Sequence, residues 1–492
     1  MKISELMKNI PLNINHTFAE DIDIKGLAYD SRNVKDGYIF FAIKGFKEDG
    51  NKYIENALTQ GAKIIFTEEE TVANNFEKIE IVKVENIRKL MALMSKEFYF
   101  SNSSQLKLIG VTGTNGKTTT AYLIKYLLES AGYKAGLIGT IDYQTGETKS
   151  DATLTTPDSI EMNMMLGEMA KNKMDFCVME VSSIALEMDR VYGLKYDAAV
   201  FTNLTSEHLD FHMNMENYFN AKKKLFDNLS VESLAVSNND DEYGEKIFAD
   251  TKAEKNYYSI KNESNLKAYN EKLSLNGLEF ETNYKNNIYK FNSNLSGRFN
   301  IYNILASVTV ALNYNIDISL IQNSINNFKE VNGRFNRIKL PNGSIAVIDY
   351  SHTSDSLKNA IEAAREITNQ ENKNGKVITV FGCGGNKDKT KRHVMGAYAT
   401  ELSDYVIITS DNPRFEDPME IINEILKGVV TKNNFEIIEN RENAIKRGIE
   451  FSKEGDIVLI CGKGHETYQE VNGVRKHFDD KEMVEKYSAS AK

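Results

Sequence analysis

The run Gly110-Val-Thr-Gly-Thr-Asn-Gly-Lys-Thr-Thr119 carries the residue types that hold nucleotide phosphates. Glycines at 110, 113 and 116 let backbone N–H groups approach phosphate oxygens, Lys117 offsets β/γ charge, and the Thr118 hydroxyl can meet Mg2+. Strict P-loop spacing needs glycine at 111, where the chain has Val111, so the loop is a variant. Phe176-Cys-Val-Met-Glu180 is an apolar stretch ending in a carboxylate, and strand ends face the ligand crevice of open α/β sheets, so Glu180 is a candidate metal ligand. Past the next apolar stretch, Thr202 to His212 brings His208 and Asp210 to the same side. Lys222-Lys-Lys224 reads, on spacing alone, as a solvated helix face. Four later loops follow apolar runs: Asp349-Tyr-Ser-His352, Gly382-Cys-Gly-Gly385, Asp411-Asn-Pro-Arg414 and Gly462-Lys-Gly-His-Glu466. An Arg fork suits a carboxylate, while Asp and Asn receive an ammonium, so the third loop suits a zwitterionic amino acid.

Positioning these groups calls for alternating strands and helices. The 492 residues imply two to four domains, at about 100 to 200 residues each. Residues 1–104 read as a small α/β domain, with Ser101 to Ser104 as a polar link. Residues 105–336 follow with strands at Leu106 to Val111, Gly136 to Ile141, Phe176 to Glu180, Ala198 to Asn203 and Leu234 to Ser237. This pattern predicts a mostly parallel, doubly wound sheet. A polar β insertion is expected near 255–295, then a helix over Phe299 to Leu312. Residues 337–492 repeat the alternation, with strands at Ile345 to Asp349, Val377 to Phe381, Val406 to Thr409, Phe435 to Ile438 and Ile457 to Cys461. The fold class is α/β in three domains, the last a second doubly wound sheet.

Composition narrows the function. With 60 basic and 70 acidic residues the net charge is -10, which excludes a general nucleic-acid binder. The first twenty residues lack an apolar core of about 7 to 15 residues, and no run reaches the roughly 18 needed to span a bilayer. A cytoplasmic location is expected, with no membrane insertion. Cys177, Cys383 and Cys461 are scattered, as reduced thiols are.

Taken together, these segments resemble the Mur ligase family of ATP-dependent amide-bond formers in peptidoglycan synthesis. The likeness also rests on Asp30-Ser-Arg32, Leu154-Thr-Thr-Pro-Asp158, Glu180-Val-Ser-Ser183, Asn238 to Asp241, Arg298-Phe-Asn300 and Gly333-Arg334. The resemblance implies an N-terminal UDP-binding domain, a central P-loop-type ATPase domain and a C-terminal Rossmann-like domain that binds the amino acid. It implies that ATP phosphorylates a carboxylate of UDP-N-acetylmuramoyl-L-alanyl-D-glutamate, and that an amino acid's amine attacks the acyl phosphate. Gly113, Thr114, Asn115, Gly116, Lys117, Thr118 and Thr119, with Asn303, Arg334 and Asp349, are then implied to bind ATP. Thr118, Glu180, His208 and Lys222 would serve Mg2+, the last as a carbamylated lysine, which reverses its reading as a solvated face. Lys117, Glu180, His208 and Lys222 form the implied catalytic set. Ser31, Thr155, Thr156, Ser182 and Arg190 are implied contacts of the UDP-muramoyl dipeptide; Arg392, Asp411, Asn412, Arg414, Gly462 and Glu466 are those of the incoming amino acid.

Within the family the DNPR motif marks addition of meso-diaminopimelate, because Arg414 can pair with a second carboxylate that lysine lacks. meso-Lanthionine carries the same termini, and the sequence does not separate the two. A lysine-adding ligase and a folylpolyglutamate-synthetase-like ligase are the alternatives. A monomer is expected. The chain departs from the family pattern at Ile184 and Met188, at Ser351 and Ser354, at Asn386 and Lys387, and at His393.

Overall fold

The computed structural model describes all residues except 13, 15, 46–47, 71–78, 101–104, 275, 372–373, 431–432 and 489–492. The expected link at 101–104, and the boundary placed on it, lie outside the described residues. Among those residues the strands form three main sheets.

The first is parallel, in the order β1 (Gly26–Ala28), β2 (Tyr38–Ala42), β3 (Ile64–Thr67), β4 (Glu80–Lys83). Its core stacks Phe41 on Phe66 beneath the helix Ile87–Tyr99.

The second comprises β5 (Lys107–Thr112), β6 (Ala135–Ile138), β7 (Asp142–Gln144), β8 (Lys149–Asp151), β9 (Phe176–Glu180), β10 (Ala198–Phe201), β11 (Leu234–Asn238), β12 (Glu254–Ser259), β13 (Leu266–Ser274), β14 (Gly277–Tyr284) and β15 (Asn287–Ser293). Its order is β15-β14-β13-β12-β11-β10-β5-β9-β6-β7-β8. The middle, from β13 to β6, pairs in parallel, and antiparallel pairs close both ends. The expected β insertion is therefore no separate module, because its first strand continues the parallel ladder from β11. Every residue of β9 and β10 is buried, as strands covered on both faces must be. Helices Lys117–Ser130, Phe299–Asn313 and Ile318–Asn327 cover one face, with Leu123, Ile124, Ile304, Val308 and Ile321 in one apolar cluster.

The third sheet runs β16 (Asn336–Lys339), β17 (Ile345–Asp349), β21 (Ile457–Cys461), β18 (Val377–Phe381), β19 (Tyr405–Ile408), β20 (Phe435–Ile437). It is parallel except for the edge strand β16, which starts one residue before the expected 337. A hairpin of β22 (Tyr468–Val471) and β23 (Val474–His477) follows. Behind it, the final helix Asp480–Ser488 carries Asp480, whose carboxylate takes Arg441 Nε and Nη2 at 2.8 and 2.7 Å. Neither side chain is exposed, and the same Nη2 donates to Cys461 O at 2.9 Å, at the end of β21.

Candidate active site

The end of β5 lies between β9 and β10, and the loop leaving it turns into the helix Lys117–Ser130. Gly116 sits at that turn with φ +86°, and a Cβ there would lie 2.5 Å from Asn303 Oδ1, so only glycine lets the loop close on the helix below. Asn303 in turn accepts from Thr120 Oγ1 at 3.2 Å and donates to Asn300 Oδ1 at 2.9 Å. Lys117 Nζ donates to Gly113 O and Thr114 O at 2.9 and 2.7 Å. Burial, with help from Arg334, lowers the Lys117 ammonium's pKa against the pull of Glu207 and Glu180.

Glu180 is fully buried at the tip of β9. Its oxygens accept from Thr118 Oγ1 at 3.0 Å, Thr140 N at 2.8 Å and Thr140 Oγ1 at 3.0 Å. Arg334 Nη2 reaches the same Thr118 hydroxyl at 2.9 Å, and its guanidinium lies 4.5 Å over the Tyr350 ring. Arg334 is thus at the phosphate end of the loop. Asp349 accepts Phe335 N at 2.8 Å and Ser351 N at 2.9 Å, and burial raises its pKa despite Ser351 and Arg334. Ser351 Oγ also donates to Asp349 Oδ1, a contact that the departure from the family pattern introduces.

Lys222 is 1% exposed on the helix Met215–Asp227, so the structure overturns the solvated-face reading. Its Nζ donates to Gly113 O at 2.8 Å and sits 4.5 Å over the Tyr218 ring. Burial, reinforced by Lys117, depresses its pKa well below that of an ordinary lysine. His208 lies nearby at φ +56°; burial, with Lys222 and Lys117, lowers it to about 4, so the imidazole is neutral at pH 7. Glu207 was not singled out from the sequence, although it stands inside the Thr202 to His212 run. It lies 3.3 Å from His352 Nε2 and 3.8 Å from His208 Nε2. Burial raises it, but the His352 contact and the charges of His208, His352 and Lys117 win and hold it well below the usual carboxylate range.

The residues expected to hold the UDP-muramoyl dipeptide gather beside Glu180. Thr155 and Thr140 hydroxyls are 3.1 Å apart, Thr156 Oγ1 donates to Glu180 O at 2.8 Å, and Ser182 N donates to Thr156 Oγ1 at 3.0 Å. Arg190 Nη1 donates to Thr156 O at 3.0 Å, and its Nε is 3.1 Å from Asp158 Oδ1. Tyr29 OH donates to the other Asp158 oxygen at 3.4 Å, which brings the N-terminal unit against this wall. Ser31, two residues on, is buried in that unit and does not line the central cavity.

On the C-terminal side, Asp411, Asn412, Arg414, Gly462 and Glu466 line the cavity together. Arg414 is half-buried at φ +54°, and its Nη1 donates to Gly385 O at 2.8 Å. Asn412 Nδ2 donates to Glu466 Oε2 at 2.7 Å. Arg392 is the exception. It is 1% exposed, outside the cavity lining, and its guanidinium is taken by Glu416 at 2.9 and 3.1 Å, Glu424 at 2.7 Å and Gly384 O at 3.1 Å. Arg392 therefore holds the loops and is not placed as an amino-acid ligand; Lys391 lines the cavity in its stead. Asn386, where the family pattern has Asp, takes φ +52° and accepts Phe415 N at 3.0 Å, a conformation Asn tolerates well.

One cavity of about 550 Å³ connects these groups, from Lys117, Thr118 and Glu180 through Arg334 to Arg414 and Glu466. Mg2+ prefers hard oxygen ligands and keeps several waters and phosphate oxygens, using one or two carboxylates. The Thr118 and Glu180 oxygens fit that pattern. Among the described residues no cluster of three or more His, Cys, Asp or Glu side chains offers an all-protein cage.

Comparison with known proteins identifies three family models along the chain: the Mur ligase family catalytic domain at residues 23–99, the Mur ligase middle domain at 111–311, and the Mur ligase glutamate ligase domain at 333–464. A Clostridium tetani protein named UDP-N-acetylmuramoyl-L-alanyl-D-glutamate--2,6-diaminopimelate ligase is 43% identical over 98% of both chains. A Clostridium acetobutylicum protein with that name and the number 1 is 43% identical over 95% of each. A solved structure titled as that same ligase aligns with TM-score 0.68 and 30% identity, covering 100% of this chain and 99% of the other.

Proposed function

The chain belongs to the Mur ligase family, and from that premise we propose that it joins meso-diaminopimelate, or the closely similar meso-lanthionine, to UDP-N-acetylmuramoyl-L-alanyl-D-glutamate in an ATP-dependent reaction. The observation that carries this reading is the single cavity shared by the P-loop and the Asp411 to Arg414 loop. An acyl phosphate made at the first needs no diffusion to meet an amine held at the second. The three units 1–104, 105–336 and 337–492 would supply the UDP, ATP and amino-acid sites in turn.

Lys117 and the Gly113 to Thr119 backbone hold the nucleotide phosphates, and Arg334 adds charge beside Thr118 as the γ-phosphoryl group transfers. Thr155 and Ser182, which line the cavity, hold the peptide so that its terminal carboxylate faces that phosphate, and Thr156 and Arg190 brace that wall from behind. Thr118, Glu180 and His208, with Lys222 as its carbamate, would hold Mg2+, which when bound neutralises phosphate charge. A neutral amine is the form that adds CO2, and the depressed pKa of Lys222 favours it. Asp411 and Glu466 receive the incoming ammonium, and Arg414 pairs with the distal carboxylate.

Arg414 argues against lysine, which would leave its half-buried guanidinium without a carboxylate, at a cost of about 1 to 3 kcal/mol. The test is phosphate release with lysine, ornithine, meso-diaminopimelate and meso-lanthionine, each with and without the UDP-muramoyl dipeptide. Release should require both the dipeptide and a diamino-dicarboxylate. ATP hydrolysis indifferent to either would sink the ligase reading, and a preference for lysine would sink the specificity.

A further inference from the structure

Lys463, in the Gly462-Lys-Gly-His-Glu466 loop, carries a charge that the proposed reaction leaves unused. Its side chain is 0% exposed, at the end of β21. A buried ammonium must be paired or it is costly, and here two of its three partners, Glu466 and Asn412, belong to the amino-acid site. Nζ lies 3.3 Å from Glu466 Oε2 and 3.4 Å from Asn412 Oδ1, and it donates to Tyr468 O. Asn412 is locked from both ends of its amide: Oδ1 also accepts Glu470 N at 2.9 Å, and Nδ2 donates to Glu466 Oε2 at 2.7 Å. Both donors to Glu466 thus fall on Oε2. Oε1 has no donor among the described residues, and Glu466 lines the cavity.

We propose that Lys463 is a positioning residue for the incoming amino acid: its buried ammonium ties the β19 and β21 loops together and holds Glu466 as a carboxylate with Oε1 presented to the substrate's ammonium. The proposal rests on the ligase reading above and deepens it.

Charge supports the geometry. Glu466 is pushed up by burial and by the charge of Asp411, while Lys463 and Asn412 pull it down. Tyr350 from the β17 loop and Tyr468 from β22 also feel its charge. Without Lys463 the balance shifts further upward, against the carboxylate that accepts an ammonium's charge-assisted bond.

Lys463→Met keeps the apolar stem and removes the charge. At pH 7 its kcat/KM for meso-diaminopimelate should fall about tenfold or more, while KM for ATP stays within about threefold. Its acid limb in kcat/KM against pH should move up by roughly one unit, so activity recovers as pH rises. A merely structural lysine would not move that limb. An unmoved limb, or equal rises in KM for ATP and amino acid, would overturn the proposal. Should Lys463→Met not fold, Glu466→Gln takes its place: loss at every pH with no acid limb supports the proposal, and a wild-type limb overturns it. Wild-type enzyme that turns over no diamino acid would fail the ligase reading, and this proposal with it; wild-type turnover with an unmoved limb overturns the proposal alone.

Discussion

Two arginines that the resemblance assigns alike to the amino-acid site are separated by what surrounds them. Arg392 is sealed among Glu416, Glu424 and Gly384 O, whereas Arg414 lines the cavity. Arg414→Ala should raise KM for meso-diaminopimelate at least about tenfold, with the melting temperature nearly unchanged. Arg392→Ala should lower stability by about 1 to 3 kcal/mol, since it removes the charge-assisted bonds that tie Glu416, Glu424 and Gly384 O together. Kinetics set beside thermal melts distinguish the two; equal loss of stability in both would refute the distinction. Glu416 reports the same pairing, its carboxyl held down to about 2 first by Arg392. For Lys222, replacement by Ala should abolish turnover, and a short carboxylate such as acetate should restore part of it by filling the carbamate's place. Full activity of Lys222→Ala would remove the carbamate. Spacing alone did not separate Lys222 from Lys223 and Lys224, because it carries no record of depth; only the family resemblance picked it out. Arg392 looked like a ligand because the acids that capture it stand 24 and 32 residues further on.

At the scale of elements, the strands that the sequence exposed are those buried on both faces. β9, β17, β18 and β21 fall on their expected ranges because each is a continuous apolar run closed by polar residues or glycine. The short β1, the antiparallel edge β16 and the hairpin β22–β23 were missed; β23 is exposed along its whole length, so no burial pattern marks it. The loops at strand ends were legible as motifs, but their internal partners were not. Lys463 is such a case: its only signal was a charge between two glycines after an apolar strand. The β21 loop also shows how tightly these ends are built. Gly462 has φ +117°, and a Cβ there would stand 2.4 Å from Asp411 Oδ2. Gly462→Ala should therefore cost about 1 to 2 kcal/mol in backbone strain and raise KM for the amino acid by displacing Asp411. A variant that melts like wild type and keeps its KM would contradict this geometry.

Across the whole molecule, the C-terminal unit closes onto the P-loop through named contacts. Asn115 Nδ2 donates to Asp355 Oδ2 at 2.8 Å, Glu207 meets His352, and Arg334 reaches Thr118. Nucleotide at about 100 times its Kd stabilises the state that binds it by about 2.7 kcal/mol. That gain should appear in both the central and C-terminal units of the wild type, and mainly in the central unit of Asp355→Ala; hydrogen exchange with and without ADP reads the difference. Acid acts on the same closed form. His465 is lowered to about 3, chiefly by burial and then by Arg334, from 6.5 for a free imidazole. Its neutral form contributes stability that is complete above pH 6.5 and lost as pH falls through 3. Melting temperature should drop between pH 6.5 and 4, and His465→Gln should make the drop shallower; an identical slope would refute the assignment. The buried Arg441–Asp480 pair has a different kind of consequence, one of timing. On a ribosome Arg441 emerges first, and its guanidinium has no carboxylate to meet until Asp480 follows. The floor beneath Cys461, and so the loop that begins at Gly462, is completed only when the last helix docks. Amino-acid recognition at Gly462 thereby depends on a helix that lines no part of the cavity it supports.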